Sequence, residues 1–214
     1  MRPQGAEAKI DIHIVSKGVM RKKCLTLICL VPLFVFAQKE KQNLLVWKNN
    51  RKLTWKDFQG AEPAKHVKDA AAETTTTIHC TYSFTADTLK YLVYSTFDKT
   101  ESWTKIFNDY SLKHEQDHFD ISEIVTRRLR EYFQNAAVST AKNSKDSFKM
   151  QVQKIIDSEP ILQEEYDDQT VFGRDSLQQH KWNRYIAKTL DSLKCYTQLS
   201  GKRLMNFLPR RVCR

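Results

Sequence analysis

The pentapeptide His114-Glu115-Gln116-Asp117-His118 has the residue types and the spacing for metal chemistry. On a helix of 3.6 residues per turn, histidines four apart lie on one face, one turn from each other. Their neutral imidazole nitrogens can then reach one Zn²⁺ at roughly 2.0–2.1 Å. Glu115 can lean over the ion without ligating it, take a proton from the water that the ion activates, and pass it to a leaving amine. Asp117 and Asp120 are near enough in sequence to hold a histidine N–H and fix its tautomer. Arg127, Arg128 and Arg130 read as an exposed cationic end matched to the helix dipole.

These residues need a helix to carry them, and the surrounding pattern supplies one. From Asn108 onward Leu112, Phe119, Ile124, Val125, Leu129, Tyr132 and Phe133 recur at helical spacing, with Asn108 or Asp109 as N-cap. A second helix is expected around Ser144–Ser158, a joint at Glu159-Pro160, further helix over Ile161–Asp168, and a last helix over Asp175–Leu193 after Gly173. Before these, Leu44–Trp47 is a short apolar run. Ile78, Cys80, Tyr82 and Phe84 alternate with polar residues, and Leu89–Phe97 follows a turn at Asp87, which together predict a hairpin. Strands first and helices after define an α+β class. Trp55 and Phe58 read as core anchors, and His66 and His79 as isolated histidines. No glycine-rich phosphate loop and no G-x-S-x-G motif occurs, which disfavours a nucleotide enzyme or a serine hydrolase.

The ends of the chain carry different information. Met20 precedes Arg21-Lys22-Lys23 and an apolar run from Cys24 to Phe36, then Ala37 and polar Gln38-Lys39-Glu40. This reads as a signal peptide over 20–37, cut after Ala37. The apolar run is shorter than the roughly 20 residues of a membrane span. Residues 1–19 then read as an upstream segment mis-assigned to the protein, and 194–214 as a solvated basic tail. Residues 38–193 are left with 23 basic and 23 acidic residues, so the pI of 9.3 belongs to the ends. A domain so balanced lacks the basic face that nucleic acid requires. Cys80, Cys195 and Cys213 follow the signal segment; Cys195 and Cys213 could pair, and no CxxC is present for a cysteine-based zinc site.

The stretch from Leu112 to Ile124, LKHEQDHFDISEI, followed by Arg128-Leu129-Arg130, resembles the bacterial domain of unknown function 922, described as a secreted zinc-dependent protease. The opening Trp47 to Gly60, WKNNRKLTWKDFQG, is similar to that family's W…LTWxDF start, and Ser102-Trp103 is similar too. The resemblance runs from about Leu44 to Leu193. It implies a zincin-like metalloprotease domain over 38–193: antiparallel strands, a long HExxH helix and further helices. It further implies a zinc ion, Glu115 as general base, a peptide or protein substrate, and a secreted or periplasmic location with no integral membrane segment after signal cleavage. Such a zinc takes three protein ligands plus water. The family's later segment, roughly YDxxTxHG, offers a histidine where this chain, at Tyr166 to Gly173, has Phe172. Asp167 is the first alternative ligand, then Glu164, Glu165 or His180. Glu123, nine residues from His114, turns to the opposite face. The competing expectation is a non-catalytic envelope or binding protein that keeps the fold with an incomplete metal site.

Overall fold

The computed structural model describes residues 9–17, 43–63, 71–85, 87–139 and 141–205. The expected hairpin is formed by β4 (Thr75–Phe84) and β5 (Thr88–Asp98), in antiparallel register from Thr76 opposite Phe97 to Phe84 opposite Leu89. The period-2 pattern explains its faces. Ile78, Cys80 and Tyr82 from β4, and Leu89, Tyr91 and Val93 from β5, are buried on the helical side. The far edge of β5 is shared: β2 (Leu44–Val46) pairs with Thr96–Asp98 and β7 (Ser200–Leu204) with Thr88–Leu92. A separate two-stranded ribbon joins β3 (Ala72–Glu73) to β6 (Trp103–Thr104).

Three helices cover this sheet: α1 (Asp109–Asn135), α2 (Lys142–Thr170) and α3 (Ser176–Ser192). Asn108 caps α1 by accepting from the Ser111 N–H at 2.8 Å, and Asp175 caps α3 through the Gln178 N–H. Val125, Leu129 and Phe133 of α1 meet the sheet, and Phe148, Val152 and Ile156 of α2 close the same core. On its other side α1 packs Ile121 and Ile124 against Tyr166, Trp182 and Ile186. Layers on several sides enclose the middle of α1, and every residue from His114 to Arg127 is buried.

The architecture is α+β, with strands before helices as expected. Three details differ from the sequence reading. Helix α2 runs unbroken through Pro160, where a joint was expected. Proline removes one backbone N–H and crowds the preceding turn. Ile156 and Glu159 before it, and Gln163 and Tyr166 after it, are all buried, so packing on both sides holds the axis. Secondly, the arginines of α1 are not a cationic surface end. Arg127 and Arg130 are buried and share Glu123, and Arg130 also donates to the carbonyls of Val93 and Tyr196. Thirdly, regular structure extends beyond 38–193 at both ends. Lys194–Tyr196 forms a 3₁₀ turn ahead of β7, and Tyr196 and Met205 join the buried core. Residues Lys9–Lys17 form β1, paired antiparallel with β4 from Lys9 opposite Ser83 to Lys17 opposite Thr75.

The signal segment 20–37 and Cys213 lie outside the described residues. Cys80 is buried and free, while Cys195 is disulfide-bonded. Among the described residues no helix is long and apolar enough to cross a membrane.

Candidate metal centre

Burial of a helix rich in polar groups obliges each group to find a partner. On α1 those partners come from different layers. Gln116 accepts the Leu53 N–H at 2.7 Å and donates to Asp120, which also accepts from the Trp47 indole at 2.7 Å. Ser122 bridges Thr76 of β4 and Glu159 of α2. Glu123 takes Arg127 and Arg130. His114 and His118 instead meet the third ligand candidate, Asp167, one turn before the end of α2.

The three residues converge tightly. His114 Nε2 and His118 Nε2 are 3.2 Å apart, and Asp167 Oδ1 lies 3.3 Å from the first and 3.1 Å from the second. Tetrahedral coordination with bonds of roughly 2.0–2.1 Å spaces ligand atoms by about 3.3–3.4 Å. Asp167 Oδ1 is also buried without a well-formed hydrogen bond, so a full electron pair points into the gap. The donor set fits a divalent cation, and this buried cluster is able to hold one. Without an ion, a proton takes its place. Burial pushes the His118 imidazolium down, but the Asp167 carboxylate overrides it and lifts the group to about 10. Burial raises the Asp167 carboxyl, and His118 and His114 together hold it well below the usual carboxylate range.

Of the other ligand candidates, Glu164, Glu165 and His180 are exposed and outside this cluster, and Glu123 is committed to its arginines. Phe172 is half-exposed in a turn beyond the end of α2. That turn is unusual: Val171, Phe172 and Gly173 have φ of 52°, 54° and 76°. It folds back so closely that a Cβ on Gly173 would sit 3.2 Å from Cγ and Nδ1 of His114.

Glu115 is buried beside His114, and Thr74 donates to its Oε2 at 2.6 Å. Asp117 and Asp120 do not hold the histidines, as the sequence suggested. Gln179 Oε1 faces His114 Nδ1 at 3.0 Å, and Gln163 Oε1 faces His118 Nδ1 at 2.7 Å. Asp120 serves Trp47 and Gln116. Asp117 sits behind Gln179 and is salt-bridged to Lys113; burial raises its carboxyl against the pull of that lysine. Tyr166 completes the packing, stacked on the His114 ring at 4.7 Å and edge-on to His118 at 4.9 Å.

Gln163, Gln179, Thr74 and Tyr166 were missed by the sequence reading. One signal was present: Glu159, Gln163 and Asp167 stand four apart, a polar stripe on one face of a helix that also carries Ile156, Leu162 and Tyr166. A cleft of about 700 Å³ lies against the far face of α1, between Lys52, Leu53, Leu112, Ile186 and Leu190, and none of the three clustered donors lines it. Compared with known protein families, with curated proteins and with solved structures, the chain matches none.

Proposed function

We propose that this protein is an exported, zinc-dependent peptidase with a zincin-like fold. The observation that carries the reading is the convergence of His114, His118 and Asp167 on one point, with Glu115 adjacent on the same helix. Bound there, zinc supplies a Lewis acid that makes water acidic at neutral pH and polarises a carbonyl. Glu115 takes the proton of the attacking water and delivers it to the leaving amine. The Thr74 hydroxyl, donating to Oε2, fixes which carboxylate oxygen stays free for that transfer. Asp167 supplies the donor that Phe172 cannot, which supports the enzyme over a non-catalytic envelope protein. The resemblance to the domain of unknown function 922 leads the same way. The apolar segment after Arg21-Lys22-Lys23 and the disulfide at Cys195 favour an oxidising location outside the cytoplasm. The substrate is a peptide or protein.

Metal analysis of the purified protein tests this. About one zinc per chain is expected, lost in His114→Ala and in Asp167→Asn. Glu115→Gln is expected to keep the zinc and lose roughly 10²–10⁴-fold in peptide hydrolysis. A parent protein that takes up no zinc after reconstitution overturns the reading, as does full activity in Glu115→Gln.

A further inference from the structure

A glutamine amide is ambivalent toward an imidazole: its oxygen accepts from N–H, and its nitrogen donates to a lone pair. The choice matters here. If Gln163 turned its nitrogen to His118 Nδ1, the neutral ring would carry its proton on Nε2, the atom that faces Asp167, and the site would be closed to a cation. What surrounds the other end of each amide therefore decides whether the site is open.

For Gln163 that end is defined by acceptors. Its Nε2 lies 3.0 Å from the His118 backbone carbonyl, 2.8 Å from Glu159 Oε1 and 3.2 Å from Ser122 Oγ. A carbonyl and a carboxylate only accept, so the nitrogen belongs there and Oε1 is left to His118 Nδ1. Gln179 repeats the arrangement. Its Nε2 lies 2.6 Å from the Tyr166 hydroxyl, 2.7 Å from the Asn183 side-chain amide and 3.1 Å from Asp117 Oδ2, the one partner that only accepts, which leaves Oε1 to His114 Nδ1. Both chains end in a buried carboxylate.

We propose that Glu159 and Asp117 are positioning residues for the metal, each acting through a glutamine whose amide it orients: His118–Gln163–Glu159 and His114–Gln179–Asp117. The inference rests on the metal reading above and extends it to two carboxylates that never touch the ion. Each carboxylate locks the amide and the amide locks the tautomer, so both Nε2 lone pairs face Asp167. Partial negative charge passed along the chain also makes each imidazole a stronger donor.

The test exchanges atoms without changing shape. Zinc affinity is measured by competition with a chromogenic chelator, together with the visible spectrum of the cobalt(II)-substituted protein. Gln163→Met is expected to weaken zinc by roughly 10–100-fold, and Glu159→Gln by about tenfold. In Glu159→Gln/Gln163→Glu the new carboxylate accepts from His118 and the new amide donates to it. That double variant is expected to return to within about threefold of the parent, with the parent's cobalt spectrum. Thermal melting of the metal-free forms identifies any variant that has merely lost its fold; the isosteric swap keeps the comparison usable. Parent-like affinity in Gln163→Met overturns the proposal, as does a folded double variant that recovers nothing. A parent that binds no metal overturns the functional reading itself.

Discussion

His114, Glu115 and His118 are neighbours in the chain, whereas Asp167 reaches them from another helix. The first three were legible in the sequence because their meaning is local: four residues along a helix fix a face. Asp167 could be named only as one of several carboxylates. The glutamines were not named, because they lie 45 and 65 residues from their histidines; Gln163 shares a four-residue spacing with Glu159 and Asp167, and Gln179 has no such pattern. Phe172 drew attention as a missing ligand, and the structure gives it another place, in a left-handed turn. There a non-glycine residue costs roughly 1–2 kcal/mol. Phe172→Gly is therefore expected to raise unfolding stability by roughly 1 kcal/mol in urea denaturation, since its half-exposed ring contributes little burial. Gly173→Ala is expected to lower stability by roughly 1–3 kcal/mol, because its methyl presses on the His114 ring. Unchanged stability in Gly173→Ala would show that the turn has room this geometry denies it.

Among the elements, α1 departs furthest from its sequence pattern. Its arginines read as an exposed cationic end, yet the surrounding layers close over Arg127 and Arg130. Charge composition reports solvent exposure only when one face is free, and α1 has none along its middle. The hairpin β4–β5, the cap at Asn108 and the start of the last helix near Asp175 were legible because they follow from period and from short polar side chains. Pro160 was over-read as a break, since buried neighbours override the local penalty. Arg130 ties α1 to β5 through the Val93 carbonyl and to the 3₁₀ turn through the Tyr196 carbonyl, while pairing with Glu123 on its own helix. Arg130→Ala strands a buried carboxylate's partner site and two carbonyls at once, and is expected to cost about 3–5 kcal/mol. A loss below about 1 kcal/mol in equilibrium unfolding would show that the grip lies elsewhere.

For the molecule as a whole, the His114–His118–Asp167 cluster ties α1 to α2, so an ion held there would link occupancy to folding. The sign of the pH dependence follows from His118 and Asp167. In the metal-free protein His118 is raised to about 10, so its contribution to stability is full below roughly pH 6.5 and disappears as pH rises through about 10. Asp167 is depressed, and its contribution is present above roughly pH 3.9 and lost as pH falls through its folded value. The metal-free protein is thus expected to lose stability between about pH 6.5 and 10. Zinc needs His118 without its proton, so the gain on loading grows over the same range. Melting temperatures at the two ends of that range, with and without zinc, should diverge as pH rises; a constant gap would remove His118 from the ligand set. At this scale the sequence told least about the edges, because β7 lies in a segment read as a basic tail and β1 in one read as an upstream stretch mis-assigned to the protein. Their strand pairing depends on partners far along the chain. The β1 pairing bears on the proposed export. If the chain were cut after Ala37 as that proposal expects, β1 would be lost and β4 would become an outer strand from Thr75 to Ser83. Its backbone N–H and C=O groups would then be open beside Thr74, the residue that holds Glu115. β1 thus closes an edge of the sheet whose hydrogen-bonding groups are spoken for only while that strand is present.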